Sequence, residues 1–519
     1  LLNRNNSKFT EEQCIQFKKL IEDLSRKVER NSKKWLFRYY SALQDNEIFK
    51  EDYQKLSEGL NLTSKDIEEF GQVKISWRKD EAYSANEFEG QPVSVIIEKL
   101  LTFKAEGRWD DPDENSLGIM LQNNCNKVPE KYSLNLILFS YVQHIYVLYL
   151  LSSFEGLWNN DKEIEWYGIL HFVNQYLDNP LIIDTKTKKN KSSSLHDHHL
   201  LLRSISQLIS SGTKSDNHAF NSDLLPIAKD IVLKCLNWVD IDENFEETNM
   251  DYPTNFLNST NGKVIESLIL LSLRQARILG SSPDTEIIKW DKDLRLAYKH
   301  LLSQQILEAN IALGFFFRNL MFLDSESTLK WITENQGHGN ELLWRSIIES
   351  FVFNNPIIDE PTVFNAFYPY FKRYIEIADV KSRYSGIIDY YISWVFIGYD
   401  FELKDSLIVP IIASRKAHMV QSLIMNTWSK WKKDIFSVQS KRNEFEEYII
   451  FIWKEIINSY SSSESDELKK CISVSTRFLS VFNQIDDRVY PLIMESCEYL
   501  KYGFDTPYII EELHRLKDQ

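Results

Sequence analysis

Apolar residues recur at three- and four-residue spacing along most of the chain, which is the pattern of amphipathic α-helices. The clearest example is 261–279, where Val264 and Leu268 belong to a wide apolar face and Gly280 ends the run. Residues 74–78 are a brief segment that we expect to be extended. The pattern as a whole predicts an all-α protein.

The second half of the chain has the more regular pattern. After Trp290 the sequence predicts a train of helices separated by short turns, at 290–306, 307–320, 325–335, 340–353, 361–378, 383–399, 403–413, 416–432, 437–460, 464–482, 488–501 and 507–517. Short connections favour antiparallel neighbours. No clean period of 34 or 40 residues is present, so we interpret the train as an α-solenoid with degenerate repeats.

The first half is also predicted to be helical, but it is interrupted by one polar stretch. Its longer predicted helices cover 10–44, 92–105, 133–152, 162–177, 195–211 and 223–239. The stretch 184–194, DTKTKKNKSSS, offers little apolar surface to bury and is typical of a loop. We therefore predict an N-terminal helical region over 1–190 and a repeat array over 191–519.

Composition narrows the class of protein. The chain has 519 residues, of which 43% are hydrophobic, a formal net charge of -15, and only 16 glycines and 13 prolines. Few Gly and Pro residues argue against all-β and doubly wound folds. The acidic balance argues against direct nucleic-acid binding, which needs a basic stripe.

The cysteines and the apolar runs bear on location. Five scattered cysteines without a CxxC pair favour reduced thiols in a cytoplasmic protein. The sequence contains no run of about 18 apolar residues, so we predict no membrane span. The chain does not begin with Met, and we expect it to be a piece of a longer protein.

Motifs for nucleotide or metal binding are weak. Gly262-Lys263 is the only Gly-Lys pair, and neither a preceding strand nor the GxxxxGK[ST] spacing accompanies it, so we predict no ATP site and no cofactor. The sequence HDHH contains His196, His198 and His199, but no Cys or Glu stands near it at ligand spacing. A polar helix start is the favoured interpretation, and no metal site is predicted.

Two further features keep alternatives open. Arg295 and His300 fit R-x4-H, the spacing that HEPN-type ribonucleases use at a phosphodiester, although an ordinary helix surface fits it too. Aromatic residues are candidates for partner binding, because aromatic side chains often dominate protein interfaces. They also wedge helix pairs together. The candidates are Tyr368, Tyr370, Trp428 and Trp431.

The stretch NSTNGKVIESLILLSLRQAR resembles part of the C-terminal helical region of large bacterial STAND NTPases, the Avs-type antiphage sensors. The resemblance covers roughly 250–460, and it continues through Phe315-Phe316, Leu323-Asp324 and Trp331. The matching residues within the stretch, whose role we expect to be structural, are Asn258, Ser259, Gly262, Lys263, Leu268, Ala276 and Arg277.

The resemblance implies both a fold and a function. It implies degenerate TPR-like helix pairs that bind a phage protein, either the large terminase subunit or the portal. Binding would activate an NTPase and an effector encoded upstream, in a full-length protein that forms a tetramer when active. This segment would then be a non-catalytic sensor. A HEPN-like helical ribonuclease and a general helical-repeat scaffold remain the alternatives.

Overall fold

The computed structural model describes most of the chain as helix. The described residues are 10–26, 36–37, 39–40, 43, 46–60, 88–104, 112–179, 194–239, 251–280, 289–336, 339–377, 384–400, 406–432, 441–500 and 506–517. Regular secondary structure within these ranges is entirely helical, which confirms the all-α prediction. Contacts divide the chain into unit 1, Leu1–Ala82 with Ala105–Ser116, and unit 2, Tyr83–Lys104 with Leu117–Gln519.

Unit 1 contains the helices α1, Glu11–Arg26, and α2, Glu47–Leu60. Glu11 and Glu12 lie in the first turn of α1, where acidic groups interact well with the positive end of the helix dipole. Lys18 on α1 forms an ion pair with Asp52 on α2. A small core joins the two helices through the buried side chains of Cys14, Ile21, Tyr40, Leu43 and Phe49.

Unit 2 contains the remaining helices. Its first group consists of α3 Val93–Thr102, α4 Glu114–Lys127 (whose first residues belong to unit 1), α5 Pro129–Ser133, α6 His144–Asn159, α7 Trp166–Tyr176, α8 Ser194–Ser211, α9 Leu225–Leu236, α10 Tyr252–Asn258 and α11 Thr260–Leu279. Short 3₁₀ helices lie at Leu136–Tyr141 and Ser222–Leu224.

The second group of unit 2 follows Trp290. It consists of α12 Lys292–Ser303, α13 Leu307–Phe315, α14 Phe317–Leu323, α15 Ser325–Asn335, α16 Glu341–Asn354, α17 Pro361–Ile377, α18 Tyr384–Ile397, α19 Ile408–Ala413, α20 Ala417–Lys432, α21 Arg442–Tyr460, α22 Asp466–Ser475, α23 Tyr490–Cys497 and α24 Thr506–Lys517. A third 3₁₀ helix, Thr476–Val481, follows α22.

Helices of unit 2 pack on non-adjacent helices of the chain in two series. In the first series α6 packs on α8, and the contacts continue through α11, α13, α16, α18, α20 and α22. In the second series α7 packs on α9 and α9 on α12, and later α15 packs on α17, α17 on α19, α19 on α21 and α21 on α23. Many helices of unit 2 therefore bury part of their apolar surface against a helix that is not their immediate neighbour in sequence, although α10 with α11, α14 with α15 and α21 with α22 are neighbours that also pack closely.

Helices α13 and α16 approach each other closely at Gly314. A Cβ on Gly314 would lie 2.9 Å from the carbonyl carbon of Ile347, so only glycine fits there. Asn354 and Asn355 at the end of α16 donate hydrogen bonds of 2.9 Å to the carbonyls of Phe315 and Gly314. These bonds satisfy carbonyl groups that the end of α13 leaves open.

Several predicted helices are broken in the structure. The predicted helix 133–152 is instead α5, a 3₁₀ helix and α6, because Val142 is extended and separates the last two. The predicted helix 307–320 divides at Phe316 into α13 and α14. The segment 74–78 lies outside the described residues.

The domain boundary that we expected at 190/191 also lies outside the described residues. The helices on its two sides, α6 and α8, pack on each other within unit 2. Among the described helices, none combines the length and the apolarity that a bilayer crossing requires.

Candidate functional site

The 258–277 stretch, which carries the resemblance described above, includes the corner between α10 and α11. Ser259 ends α10 and begins α11, and its hydroxyl accepts a 2.8 Å hydrogen bond from the backbone N–H of Gly262. A Cβ at Gly262 would lie 2.8 Å from the carbonyl carbon of Phe256 and closer still to its oxygen. Glycine is therefore required because the end of α10 lies against the start of α11.

The corner is also tied to α8. Arg203 on α8 donates a 2.5 Å hydrogen bond to the carbonyl of Asn258, whose own side chain donates to the carbonyl of Thr254. Thr260 donates from its hydroxyl to the carbonyl of His199. These bonds place the start of α11 against α8, so Asn258 and Ser259 have a structural role.

Lys263 and Ala276 lie further along α11 and also face protein. The Lys263 ammonium is 2.7 Å from a carboxylate oxygen of Glu266, and both side chains are largely buried. Ala276 has no exposed surface.

Arg277 anchors the connection between α8 and α9. Its guanidinium donates to Asp216 at 2.8 Å and to the carbonyl of Thr213 at 3.0 Å, and Arg274 also bonds Asp216. Burial acts to raise the pKa of Asp216, but the hydrogen bonds from Arg274 and Arg277 outweigh it and hold that pKa below its usual value. The end of α11 therefore holds this connection by a charge-assisted contact.

The structure does not bring the ribonuclease candidates together at one site. Arg295 donates a 2.8 Å hydrogen bond to Asp324, whose carboxylate also caps the start of α15. His300 is exposed on α12 and lines a groove against α9. The Arg295 guanidinium is thus engaged at the α14–α15 junction, whereas the His300 imidazole lies beside α9.

The HDHH histidines lie in the first turns of α8. The side chains of His196 and His198 are outside the described set, and His199 is exposed. Across the side chains that the structure describes, no group of three or more His, Cys, Asp or Glu residues is placed to hold a metal ion.

Tyr370 was expected at a partner-binding surface, and the structure corrects this. It is only 1% exposed, and its hydroxyl donates a 2.7 Å hydrogen bond to the carbonyl of Ile332. Tyr370 lies on the same helical face as the buried side chains of Phe367 and Tyr374, so α17 directs it into the interior. Tyr368 is half-buried and its hydroxyl lies 3.5 Å from Asp400.

Trp428 and Trp431 are half-buried on α20, and both are engaged by the C-terminal elements of the fold. Trp431 donates to the carbonyl of Ser480 at 3.0 Å. Trp428 donates to the hydroxyl of Tyr508 at 2.9 Å, and the Arg477 guanidinium lies 4.8 Å from its ring centroid. The two indoles therefore fix the 3₁₀ helix Thr476–Val481 and α24, which leaves only part of each ring for a partner.

Sequence reasoning missed an exposed apolar surface, which we name the 134–141 face. Its side chains have exposed fractions of 77% for Leu134, 57% for Ile137, 37% for Leu138 and 75% for Tyr141. The apolar run suggested a buried helix, but Leu134 lies before the 3₁₀ helix Leu136–Tyr141 and the other three residues lie within it, and all four are exposed. Exposed apolar residues that lie close together in sequence are candidates for an interaction surface.

A groove of about 370 Å³ lies between α9 and α12. We name it the α9–α12 groove; its apolar lining includes Leu233, Ala297 and Leu301, and its polar lining includes Asp230, Lys234 and His300. Single-sequence patterns could not reveal it, because its two walls are separated by some sixty residues of chain.

A comparison of the chain with protein-family models, curated proteins and solved structures found no match.

Proposed function

We propose that this chain is the non-catalytic sensor region of an Avs-type STAND NTPase that acts in antiphage defence in the bacterial cytoplasm. In this proposal unit 2 is an α-solenoid of degenerate TPR-like helix pairs. It binds a phage protein, the large terminase subunit or the portal, and binding activates NTPase and effector regions upstream in a longer protein that assembles as a tetramer.

The observation that carries the proposal is the packing of unit 2 helices in two series of non-adjacent helices. Contacts of this kind are typical of helical-repeat proteins, in which stacked pairs present an extended surface to a large partner. The resemblance of the 258–277 stretch supports the same function, and its residues are engaged in contacts within the fold, at the corner between α10 and α11 and at the end of α11.

The 134–141 face is the surface that we assign to the partner. Leu134 and Tyr141 expose most of their side chains, and an aromatic anchor beside aliphatic residues is typical of an interface centre. Replacement of an anchor by a charged residue would place an unpaired carboxylate in the buried contact, which is strongly unfavourable for binding.

The proposal is tested by capture of purified phage proteins on the immobilised chain. We expect one of the two, terminase or portal, to be retained and a major capsid protein to be lost on washing. The variant Tyr141→Glu should reduce retention by at least about tenfold, which corresponds to about 1.4 kcal/mol. Tyr490→Glu is the matched control, because Tyr490 is 57% exposed on α23, away from the 134–141 face in sequence.

Retention of neither protein would refute the sensor proposal. Equal losses for Tyr141→Glu and Tyr490→Glu would leave the sensor function standing but would remove the 134–141 face as its contact surface. Circular dichroism of each variant separates a lost contact from a lost fold.

A further inference from the structure

The α9–α12 groove has the size and lining of a binding site for a side chain. Its volume of about 370 Å³ falls within the range of roughly 300–1,000 Å³ that ligand pockets occupy. Its apolar wall includes Leu301, which is 4% exposed, and the half-buried Leu233 and Ala297. An apolar group that entered the groove would remove this wall from water.

The cations of α9 that lie beside the groove are already neutralised. Lys234 donates to a carboxylate oxygen of Asp178 at 2.6 Å and to the carbonyl of Asn174 at 2.9 Å. Lys229 is held between Asp291 at 2.9 Å and Asp293 at 2.7 Å.

Asp230 differs from these paired groups. It lines the groove, it is exposed, and it has no ion-pair partner within the described ranges of the chain. Since the neighbouring lysines are paired, the groove presents one carboxylate whose charge is not compensated. A cation that approached this edge would gain Coulomb energy without displacing an existing partner.

We propose that the α9–α12 groove binds a large apolar side chain of a partner protein that is followed or preceded by lysine or arginine, with the apolar group against Leu233, Ala297 and Leu301 and the cation paired with Asp230. The inference rests on the proposed function only in that a partner protein supplies the occupant. It adds a second, charge-selective contact to the 134–141 face.

His300 provides a reporter at the groove, because its exposed imidazole is part of the lining. The chain is labelled with ¹³C at histidine Cε1, and the His300 resonance is identified by its absence in His300→Gln. The probes are the peptides acetyl-Gly-Phe-Arg-Gly-amide, acetyl-Gly-Phe-Glu-Gly-amide and acetyl-Gly-Ala-Arg-Gly-amide.

The Phe-Arg peptide is expected to shift the His300 resonance in a saturable manner, and the other two peptides should bind more weakly or not at all. Asp230→Asn should weaken Phe-Arg binding by about two- to fivefold, as expected for an exposed ion pair. Ala297→Trp, which fills the groove, should abolish the shift. Asp223→Asn removes the same charge from an exposed position outside the groove lining and should change nothing.

Three results would overturn the inference: no shift with the Phe-Arg peptide, an equal shift with the Phe-Glu peptide, or an equal shift with the Ala-Arg peptide. The last would mean that the groove takes a cation alone. The peptide measurements use no phage protein. If the peptides fail to bind but phage proteins are still captured, only the inference about the groove is refuted. If no phage protein is captured but the Phe-Arg peptide still binds, the proposed function is refuted and the inference about the groove stands.

Discussion

Replacement of Gly262 by alanine is expected to loosen the corner between α10 and α11. The new Cβ would lie 2.8 Å from the carbonyl carbon of Phe256, inside van der Waals contact, so the backbone of one helix must shift. That shift also disturbs the N-cap of α11, because the capping hydrogen bond joins the backbone N–H of Gly262 itself to the hydroxyl of Ser259. One methyl group therefore disturbs two stabilising features at once.

The magnitude follows from three opposing contributions. Overpacking costs about 1–3 kcal/mol, and loss of an N-cap hydrogen bond costs about 0.5–2 kcal/mol. The better helix propensity of alanine returns about 0.8–1.0 kcal/mol. The expected net loss of local stability is therefore about 0.5–4 kcal/mol.

Gly156→Ala is the matched control. Gly156 lies within α6, and a Cβ there would meet no atom within 4 Å. The same substitution should stabilise α6 by about 0.5–1 kcal/mol, because alanine loses less conformational entropy on folding. The two variants thus have expected effects of opposite sign.

Hydrogen exchange followed by mass spectrometry measures both effects locally, which matters because a chain of 519 residues need not unfold in two states. Gly262→Ala should accelerate exchange in peptides that cover 252–280. If exchange there is unchanged or slowed, or if the acceleration appears only in distant peptides, the assignment of Gly262 as a steric requirement of the corner is wrong.

Two further predictions concern Asp324 and Tyr370. Burial acts to raise the pKa of Asp324, but hydrogen bonds from Ser327 and Arg295 outweigh it and lower that pKa. The ionised carboxylate therefore stabilises the folded state fully above the ordinary carboxyl pKa of about 3.9. This contribution is lost as the pH falls through the lower folded-state pKa. Asp324→Asn keeps a good N-cap residue but removes the charge. The decrease in stability to urea between about pH 6 and pH 2.5 should therefore be smaller for the variant than for the parent chain. An equal decrease would contradict the argument. Tyr370→Phe should lower the free energy of unfolding, measured in urea, by about 1–3 kcal/mol because the carbonyl of Ile332 loses its hydrogen-bond donor. The control Tyr368→Phe should change it by less than about 0.5 kcal/mol. Similar losses for the two variants would contradict the structure.

Local patterns predicted most helices well and failed where distant residues decide the backbone. The predicted helix 261–279 is observed as Thr260–Leu279, since its apolar period and Ser259 cap are both local. The predicted helix 464–482 instead changes to a 3₁₀ helix after Ser475. The carbonyls of Ser480 and Val481 in that segment accept hydrogen bonds from Trp431 and Arg442, which lie about forty to fifty residues earlier. A window of neighbouring residues contains no information about such donors.

The candidate binding residues differ in how far sequence could have placed them. Tyr370 shares its helical face with Phe367 and Tyr374, so the period of α17 already favoured an inward position for it over Tyr368. The 134–141 face offered no such signal, because an apolar run resembles a buried helix until the 3₁₀ turn is known. Tyrosine and tryptophan also fit both environments, since their polar tips pair with backbone carbonyls when buried and with water when exposed. In the proposed function the partner contact is therefore assigned to Leu134 and Tyr141, which expose most of their side chains, and not to Trp428 or Trp431, whose indoles already donate hydrogen bonds to Tyr508 and Ser480.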